Sequence, residues 1–178
     1  INYWLSSKSS LKVAINAFDF FARDEVKEAF TSLFLPVVYR SIAAVDVSIK
    51  AISIAKTNAK KNNANVRFLN SNWYQKVSLK YDLIVSNPPY VDKSANTNES
   101  LKFEPEEAIF SDENGLKDLR IIISQSKDYL NYGGIIFLEH SPEQKKIINN
   151  LLKENGFRDV TSIKDLKRTE RFTFGKLE

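Results

Sequence analysis

The spacing of apolar residues predicts that strands and helices alternate through most of this chain. From residue 37 onward, short apolar runs typical of buried strands alternate with longer segments whose apolar residues recur at helical spacing. We predict strands at residues 42–47, 66–69, 81–86 and 135–139, helices at residues 49–62, 116–130 and 142–155, and a final antiparallel strand pair at residues 160–163 and 171–175. A turn is expected at Gly133-Gly134. The pattern predicts an α/β fold with a doubly wound, mostly parallel, Rossmann-like sheet and helices on both faces.

Two segments do not follow this alternation. Between Ala14 and Phe34 the apolar residues lie at helical spacing, with charged residues on another face, so we predict one or two packing helices there. Residues 91–114 are rich in Asn, Ser, Asp and Glu and predict a long loop. A loop of this length beside a ligand site is more often a lid than a linker.

The composition narrows the class of protein. The 178 residues, of which 43% are apolar, suffice for one packed domain. Cysteine is absent and there is a single histidine, so we expect no disulfide and no metal site. No apolar run approaches the roughly 20 residues that span a bilayer, and the start lacks a signal-peptide pattern, so we expect no membrane contact and a cytoplasmic location. The net charge of +4 comes from scattered lysines, which do not predict sequence-specific binding of nucleic acid.

The most informative stretch is Asn87-Pro88-Pro89-Tyr90, which directly follows the strand predicted at residues 81–86. Proline has no N–H to donate and fixes φ, so the strand must end in a stiff turn. Open α/β sheets bind ligands at the carboxyl ends of their parallel strands. The Asn87 side chain can hold a planar amide or amino group there, and Tyr90 offers a ring for stacking. The alternative is a rigid turn without chemistry.

Asp46 is a second candidate for a ligand site. It ends a predicted strand and precedes a helix that Ser48 can cap. A carboxylate at this place in a dinucleotide-type fold can accept two hydrogen bonds from ribose hydroxyls. An acid near a helix N-terminus also favours the helix dipole, which is the alternative role.

Asn-Pro-Pro-Tyr after a strand resembles motif IV of the S-adenosylmethionine-dependent methyltransferases that modify amino or amide nitrogens. Further motifs make the chain similar to the protein-(glutamine-N5) methyltransferases of peptide chain release factors. These motifs are Phe103-Glu104-Pro105, Ala108-Ile109-Phe110, Asn114-Gly115-Leu116, Leu138-Glu139-His140 with Gln144, Asp165-Leu166 and Arg171-Phe172-Thr173. Their order and spacing match the family from Ile42 to Lys176, about three quarters of the chain.

The resemblance implies a cofactor, S-adenosylmethionine, and the residues that bind it. Asp46 would hold the ribose, Asn72 and Trp73 would lie at the adenine, and Asn87 would also contact the cofactor. The family usually has Asp-Trp where this chain has Asn72-Trp73, and Asn accepts a hydrogen bond more weakly than a carboxylate does. Trp73 could instead serve only as a core residue.

The resemblance also implies a substrate, the glutamine of the Gly-Gly-Gln motif of a release factor. Asn87 and the Pro88 carbonyl would accept hydrogen bonds from the amide N–H groups, so that the nitrogen is placed for in-line attack, and Tyr90 would form a wall of the slot. Asn87, Pro88 and Tyr90 are therefore the expected catalytic residues. The expected substrate-binding residues are Asn87, Pro88, Pro89, Tyr90, Glu104 and Pro105. His140 is expected to be structural rather than a base.

The resemblance further implies a helical segment at residues 1–35, as a remnant of an N-terminal substrate-recognition domain, and a catalytic domain at residues 36–178. We expect a monomer whose partner is the release factor. Two alternatives remain open: an amino methyltransferase acting on a nucleic acid base or a ribosomal protein glutamine, and a non-catalytic relative that docks on a release factor or the ribosome.

One family feature is absent. Methyltransferases of this type carry a glycine-rich loop after the first strand, where glycine lets the backbone approach the cofactor. This chain has no glycine before Gly115, so we expect the first strand and its loop to be missing or replaced. Either a stretch that relatives carry is lacking here, which the absence of methionine favours, or the chain is a degenerate member that no longer binds S-adenosylmethionine.

Overall fold

The computed structural model describes residues 11–16, 39–94 and 105–178. Within these ranges the strands are β1 (Leu11–Asn16), β2 (Tyr39–Asp46), β3 (Val66–Asn70), β4 (Tyr81–Ser86), β5 (Val91–Asp92), β6 (Phe110–Ser111), β7 (Leu130–Glu139), β8 (Phe157–Lys164) and β9 (Glu170–Leu177). The helices are α1 (Ile49–Lys61), α2 (Glu106–Ile109), α3 (Asp112–Gly115), α4 (Lys117–Tyr129) and α5 (Lys145–Glu154), with a 3₁₀ turn at Pro142–Gln144.

Seven of these strands form one sheet in the order β3-β2-β1-β4-β7-β9-β8. Strands β3, β2, β1, β4 and β7 pair in parallel, and β9 pairs antiparallel with both β7 and β8. The predicted fold class is confirmed, including the antiparallel pair at the end. Because the parallel strands share one direction, their carboxyl ends lie along the same edge of the sheet.

Strand β1 corrects two predictions. Leu11–Asn16 lies between β2 and β4 and pairs in parallel with both, so the helix predicted from Ala14 onward is wrong for residues 14–16. A first strand is therefore present, between β2 and β4 in the sheet, although the sequence after it has no glycine before Gly115. The rest of the predicted helical segment lies outside the described residues, and the domain boundary at residue 35 stays a prediction.

The other predicted elements are found with small shifts in their ends. The strand predicted at residues 81–86 is confirmed as β4, and all six of its residues are buried. The helix predicted at residues 116–130 is α4. The helix predicted at residues 142–155 is divided into the 3₁₀ turn and α5. Gly156 has a φ of +89° just past α5, as expected for a helix stop.

The structure refines two loop predictions. The turn predicted at Gly133-Gly134 lies inside β7, which runs from Leu130 to Glu139: Gly133 has a φ of +72°, and the pairing with β4 passes from Tyr81↔Leu130 directly to Leu83↔Ile135. The segment predicted as a long loop contains a small parallel pair, β5 with β6, and the short helices α2 and α3. Residues 95–104 lie outside the described residues.

The core lies largely between the sheet and helices α4 and α5. Apolar side chains of β4 and β7 pack there against Leu119, Ile122 and Ile123 of α4 and Ile148 and Leu152 of α5, all at most 1% exposed. Burial of this kind contributes about 25 cal/mol per Å² of apolar area. This packing fixes the positions of β4 and β7 relative to α4. Among the described residues, no helix is long and apolar enough to cross a membrane.

Candidate active site

A cavity of about 280 Å³ opens at the carboxyl ends of β2, β3 and β4. Its lining includes Asp46, Asn72, Trp73, Asn87 and Pro89. These residues come from three separate parts of the sequence, and all five were predicted as site residues. The parallel arrangement of β2, β3 and β4 brings them together at the edge where open α/β sheets bind ligands.

Asp46 ends β2 and stands at the turn into α1. Its Oδ1 accepts a hydrogen bond from the Ser48 N–H at 2.7 Å, and the Ser48 hydroxyl accepts one from the Ala51 N–H, so Ser48 caps α1 as predicted. Burial raises the pKa of Asp46 above its ordinary value, and the Ser48 hydrogen bond opposes this. A half-buried carboxylate held in this way can accept further hydrogen bonds from a ligand.

Asn72 and Trp73 follow β3. Ser71 holds this turn: its N–H donates to the Asp46 carbonyl at 3.0 Å, and its hydroxyl donates to the Trp73 carbonyl at 3.2 Å. Asn72 is exposed, and Trp73 has a φ of +44°, which is uncommon for a bulky residue. Trp73 is half-buried and packs against the main core as well as lining the cavity, so both roles considered for it are compatible with its place.

The turn after β4 places its four residues differently. Asn87 and Pro89 line the cavity, whereas Pro88 is buried and Tyr90 is not among the lining residues. The Tyr90 hydroxyl donates to Glu139 Oε1 at 2.9 Å, and the Tyr90 carbonyl accepts from Gln144 Nε2 at 3.0 Å. The Tyr90 hydroxyl therefore anchors the turn to β7, and the Tyr90 carbonyl anchors it to the 3₁₀ turn; the role of the ring as a wall of the substrate slot stays a prediction.

Two predicted residues remain, Glu104 and Pro105. Pro105 is part of the lining, and Glu104 lies outside the described residues. Two acidic residues that were not predicted also line it, Glu107 of α2 and Asp118 of α4. Asp118 accepts a hydrogen bond from the Ser111 hydroxyl at 2.6 Å. Their sequence signal is weak, because acids in the first turn of a helix are common for electrostatic reasons alone.

The lining has the charge and polarity that a positively charged nucleoside requires. Asp46, Glu107 and Asp118 are acidic, and no basic side chain is among the described lining residues. Ser86 also lines the cavity, and within the described residues its buried hydroxyl has no hydrogen-bond partner. A buried hydroxyl without a partner costs free energy that a ligand can relieve. The residues present therefore fit a cationic ligand that carries ribose and a planar base.

His140 is buried beside this site but not in it. Its Nδ1 lies 2.7 Å from the Ser141 carbonyl, and its Nε2 lies 2.7 Å from the Thr173 hydroxyl. Burial lowers the pKa of His140 below its ordinary value. A neutral ring with Nδ1–H donating to the carbonyl and Nε2 accepting from Thr173 satisfies both contacts. The geometry supports the structural role predicted for it.

Comparison with known families and proteins identifies relatives of part of the chain. Residues 34–105 match the family described as methyltransferase small domain. A release factor glutamine methyltransferase of Francisella tularensis is 44% identical over 140 residues, which are 76% of this chain and 49% of that protein. Proteins of the same name from Buchnera aphidicola and Haemophilus influenzae are 41% and 37% identical over 139 and 136 residues. The chain thus spans about half the length of these relatives, and the resemblance found in its motifs is confirmed over that part.

Solved structures give the same fold at much lower identity. A methyltransferase from Pyrococcus furiosus superposes with a TM-score of 0.65 at 17% identity, covering 98% of this chain and 79% of that chain. A 16S rRNA methyltransferase from Thermus thermophilus, in complex with AdoMet and guanosine, superposes with a TM-score of 0.63 at 14% identity, covering 94% of this chain and 38% of that chain. The fold is that of the class I S-adenosylmethionine-dependent methyltransferases, as predicted.

Proposed function

We propose that this chain is the catalytic part of a methyltransferase that transfers a methyl group from S-adenosylmethionine to the side-chain amide of the glutamine in the Gly-Gly-Gln motif of peptide chain release factors. The observation that carries the proposal is the meeting of Asp46, Asn72, Trp73 and Asn87 around one acidic cavity. The names of relatives at 37–44% identity support the choice of substrate.

The cavity residues are suited to hold the cofactor. Asp46 would accept hydrogen bonds from the ribose, and Asn72 with Trp73 would lie against the base. Glu107 and Asp118 add negative charge, which favours a cationic ligand. When bound, S-adenosylmethionine supplies a methyl group on a positively charged sulfur, which a nitrogen can attack.

Asn87 and Pro88 would position the substrate amide. Each of its two N–H groups needs an acceptor, and the Asn87 side-chain oxygen and the Pro88 carbonyl can provide one each. An amide nitrogen is a poor nucleophile because its lone pair is delocalised, and two acceptors on its hydrogens favour the pyramidal form. The contribution of the protein is then positioning and electrostatic stabilisation, which can supply several kcal/mol. The proton can leave after transfer, so the buried His140 is not needed as a base.

Cofactor binding is the first test. Calorimetric titration with S-adenosylhomocysteine is performed on this chain, and a full-length relative serves as the positive control. We expect binding that Asp46→Ala abolishes and that Asn65→Ala, an exposed substitution away from the cavity, leaves unchanged. If the correctly folded chain binds no S-adenosylhomocysteine, the proposal that it is an enzyme is contradicted, and the alternative of a non-catalytic docking relative remains.

Methyl transfer is the second test. The chain and radiolabelled S-adenosylmethionine are incubated with one of three substrates: a release factor, the same release factor with Gln→Ala in its Gly-Gly-Gln motif, or ribosomal RNA. We expect label only in the unaltered release factor, and a large loss of rate in Asn87→Ala. Label in RNA, or in the altered release factor, would refute the proposed substrate. The same preparation tests the predicted monomeric state by light scattering.

A further inference from the structure

The buried side chain of Gln144 connects three segments at the edge of the candidate site. Gln144 is 6% exposed, and its Nε2 lies 3.0 Å from the Tyr90 carbonyl, 3.2 Å from the Asn114 carbonyl and 3.2 Å from the Gly115 carbonyl. Its Oε1 accepts from the Ser141 N–H at 3.0 Å. One amide therefore ties the turn after β4, the turn before α4 and the 3₁₀ turn after β7 to each other.

The backbone around this amide is closely packed and strained. Glu113, Asn114 and Gly115 all have positive φ, at 55°, 57° and 77°. Non-glycine residues in this conformation are strained and persist only where surrounding contacts hold them. A Cβ on Gly115 would overlap the Tyr90 carbonyl and lie 2.8 Å from Gln144 Nε2. The contact between the two turns therefore depends on both the glycine and the amide.

The strain and the contacts bear directly on Asn87. Only Pro88 and Pro89 separate Asn87 from Tyr90, and proline fixes φ at about −65°. Few torsions can then absorb a movement of Tyr90 before it reaches Asn87. Gln144 holds the Tyr90 carbonyl and Glu139 holds the Tyr90 hydroxyl. Through the two prolines, these two contacts restrict where Asn87 can lie.

We propose that Gln144 is a positioning residue for methyl transfer, which holds the turn of Asn87, Pro88 and Pro89 in the arrangement that presents the substrate amide. This rests on the proposed function. Gln144 contacts the turn after β4, whereas Asp46 and Asn72 lie at or just after the ends of β2 and β3. Its loss should therefore lower kcat by a larger factor than it weakens the affinity for S-adenosylhomocysteine.

The test compares Gln144→Met and Gln144→Glu with Ser141→Ala. Methionine keeps the length of the side chain and removes both donors, and glutamate keeps the shape but offers a carboxylate to three carbonyls. Ser141→Ala removes the hydroxyl that caps the same 3₁₀ turn and leaves the Gln144 amide in place, so it controls for a local loss of stability. Because a displacement of about 1 Å can cost about a hundredfold in rate, we expect kcat to fall by about 10- to 100-fold in both Gln144 variants and by less than about threefold in Ser141→Ala.

Amide hydrogen exchange gives a readout that does not depend on activity. Loss of hydrogen bonds of about 1–1.5 kcal/mol should raise exchange about tenfold in peptides that cover residues 86–92 and 113–116 of Gln144→Met, with α5 unchanged. If the wild type transfers no methyl group, the proposed function fails and the catalytic role of Gln144 fails with it, and the exchange comparison then decides only whether Gln144 holds the turn of Asn87, Pro88 and Pro89. Wild-type kcat in Gln144→Met, unchanged exchange in residues 86–92, or equal effects in Ser141→Ala would each overturn the proposal.

Discussion

Replacing Tyr90 by phenylalanine separates two possible roles of this side chain. The sequence suggested a ring that stacks on a planar substrate, and Tyr90→Phe keeps that ring. The structure instead shows a hydroxyl that donates at 2.9 Å to Oε1 of Glu139, a residue only 4% exposed. If the main role of Tyr90 is this hydrogen bond, the loss of its one oxygen atom should lower both the stability of the chain and the rate of methyl transfer.

The expected size of the effect follows from this hydrogen bond. Removal of the donor leaves a buried acceptor on Glu139 with one partner fewer, which costs about 1–3 kcal/mol. For a chain of this length each kcal/mol shifts Tm by about 2–4 °C, so Tyr90→Phe should lower Tm by about 2–12 °C. The rate of methyl transfer should fall as well, because the same hydroxyl holds the turn that carries Asn87.

Scanning calorimetry on Tyr90→Phe and Tyr132→Phe measures the shift. Tyr132 is 83% exposed, so the same chemical change there should leave Tm within about 1 °C of the wild type. A Tyr90→Phe variant with the Tm of this control and the rate of the wild type would refute the anchor and restore the stacking role.

Three further predictions concern backbone strain and pH. Gly115→Ala should destabilise by more than Gly156→Ala in urea unfolding, because both glycines have positive φ but a Cβ on Gly156 would meet nothing within 4 Å; backbone strain alone costs about 1–2 kcal/mol. Burial lowers the pKa of His140 in the folded chain, so the stability that depends on its neutral ring is complete above pH ~6.5 and is lost as the pH falls below that value. His140→Gln should therefore reduce the slope of the free energy of unfolding against pH between pH 7.5 and 5.5. Burial raises the pKa of Asp46 above its ordinary value of 3.8. On acidification, the affinity for S-adenosylhomocysteine should therefore begin to fall at a higher pH than an ordinary aspartate would give. Calorimetry of Asp46→Asn should show weak binding that does not depend on pH in this way. Equal destabilisation by the two glycine variants, an unchanged His140→Gln slope, or a pH-independent affinity would contradict the respective prediction.

The parts of the fold that depend on local chemistry were predictable from the sequence. β4 and the end of this strand follow from a mostly apolar run, Tyr81–Ser86, that is followed by Asn87 and two prolines, and the cap of α1 by Ser48 follows from its side chain. Asp46, Asn72 and Asn87 could be placed at one edge because parallel strands bring their carboxyl ends together. These predictions needed only residue type, order and strand direction.

The features that depend on distant partners were not predictable. Leu11–Asn16 is a strand because β2 and β4 flank it, and its residues alone fit either periodicity. The Tyr90 hydroxyl bonds to Glu139, which is 49 positions further along the chain. Glu107 and Asp118 reach the lining only through the path of α2 and α4. In each case packing across the fold decided the outcome.

The place of β9 has a consequence for the order of assembly during synthesis. β9 lies between β7 and β8, so β8 has no neighbour in the sheet until β9 has left the ribosome. The same strand carries Thr173, which contacts His140, and Arg171, whose Nη1 lies 3.5 Å from the Tyr90 hydroxyl. A nascent chain that has been translated only through β8 therefore has neither a complete sheet nor these supports of the turn after β4, and the candidate site can reach its final arrangement only after β9 has been made.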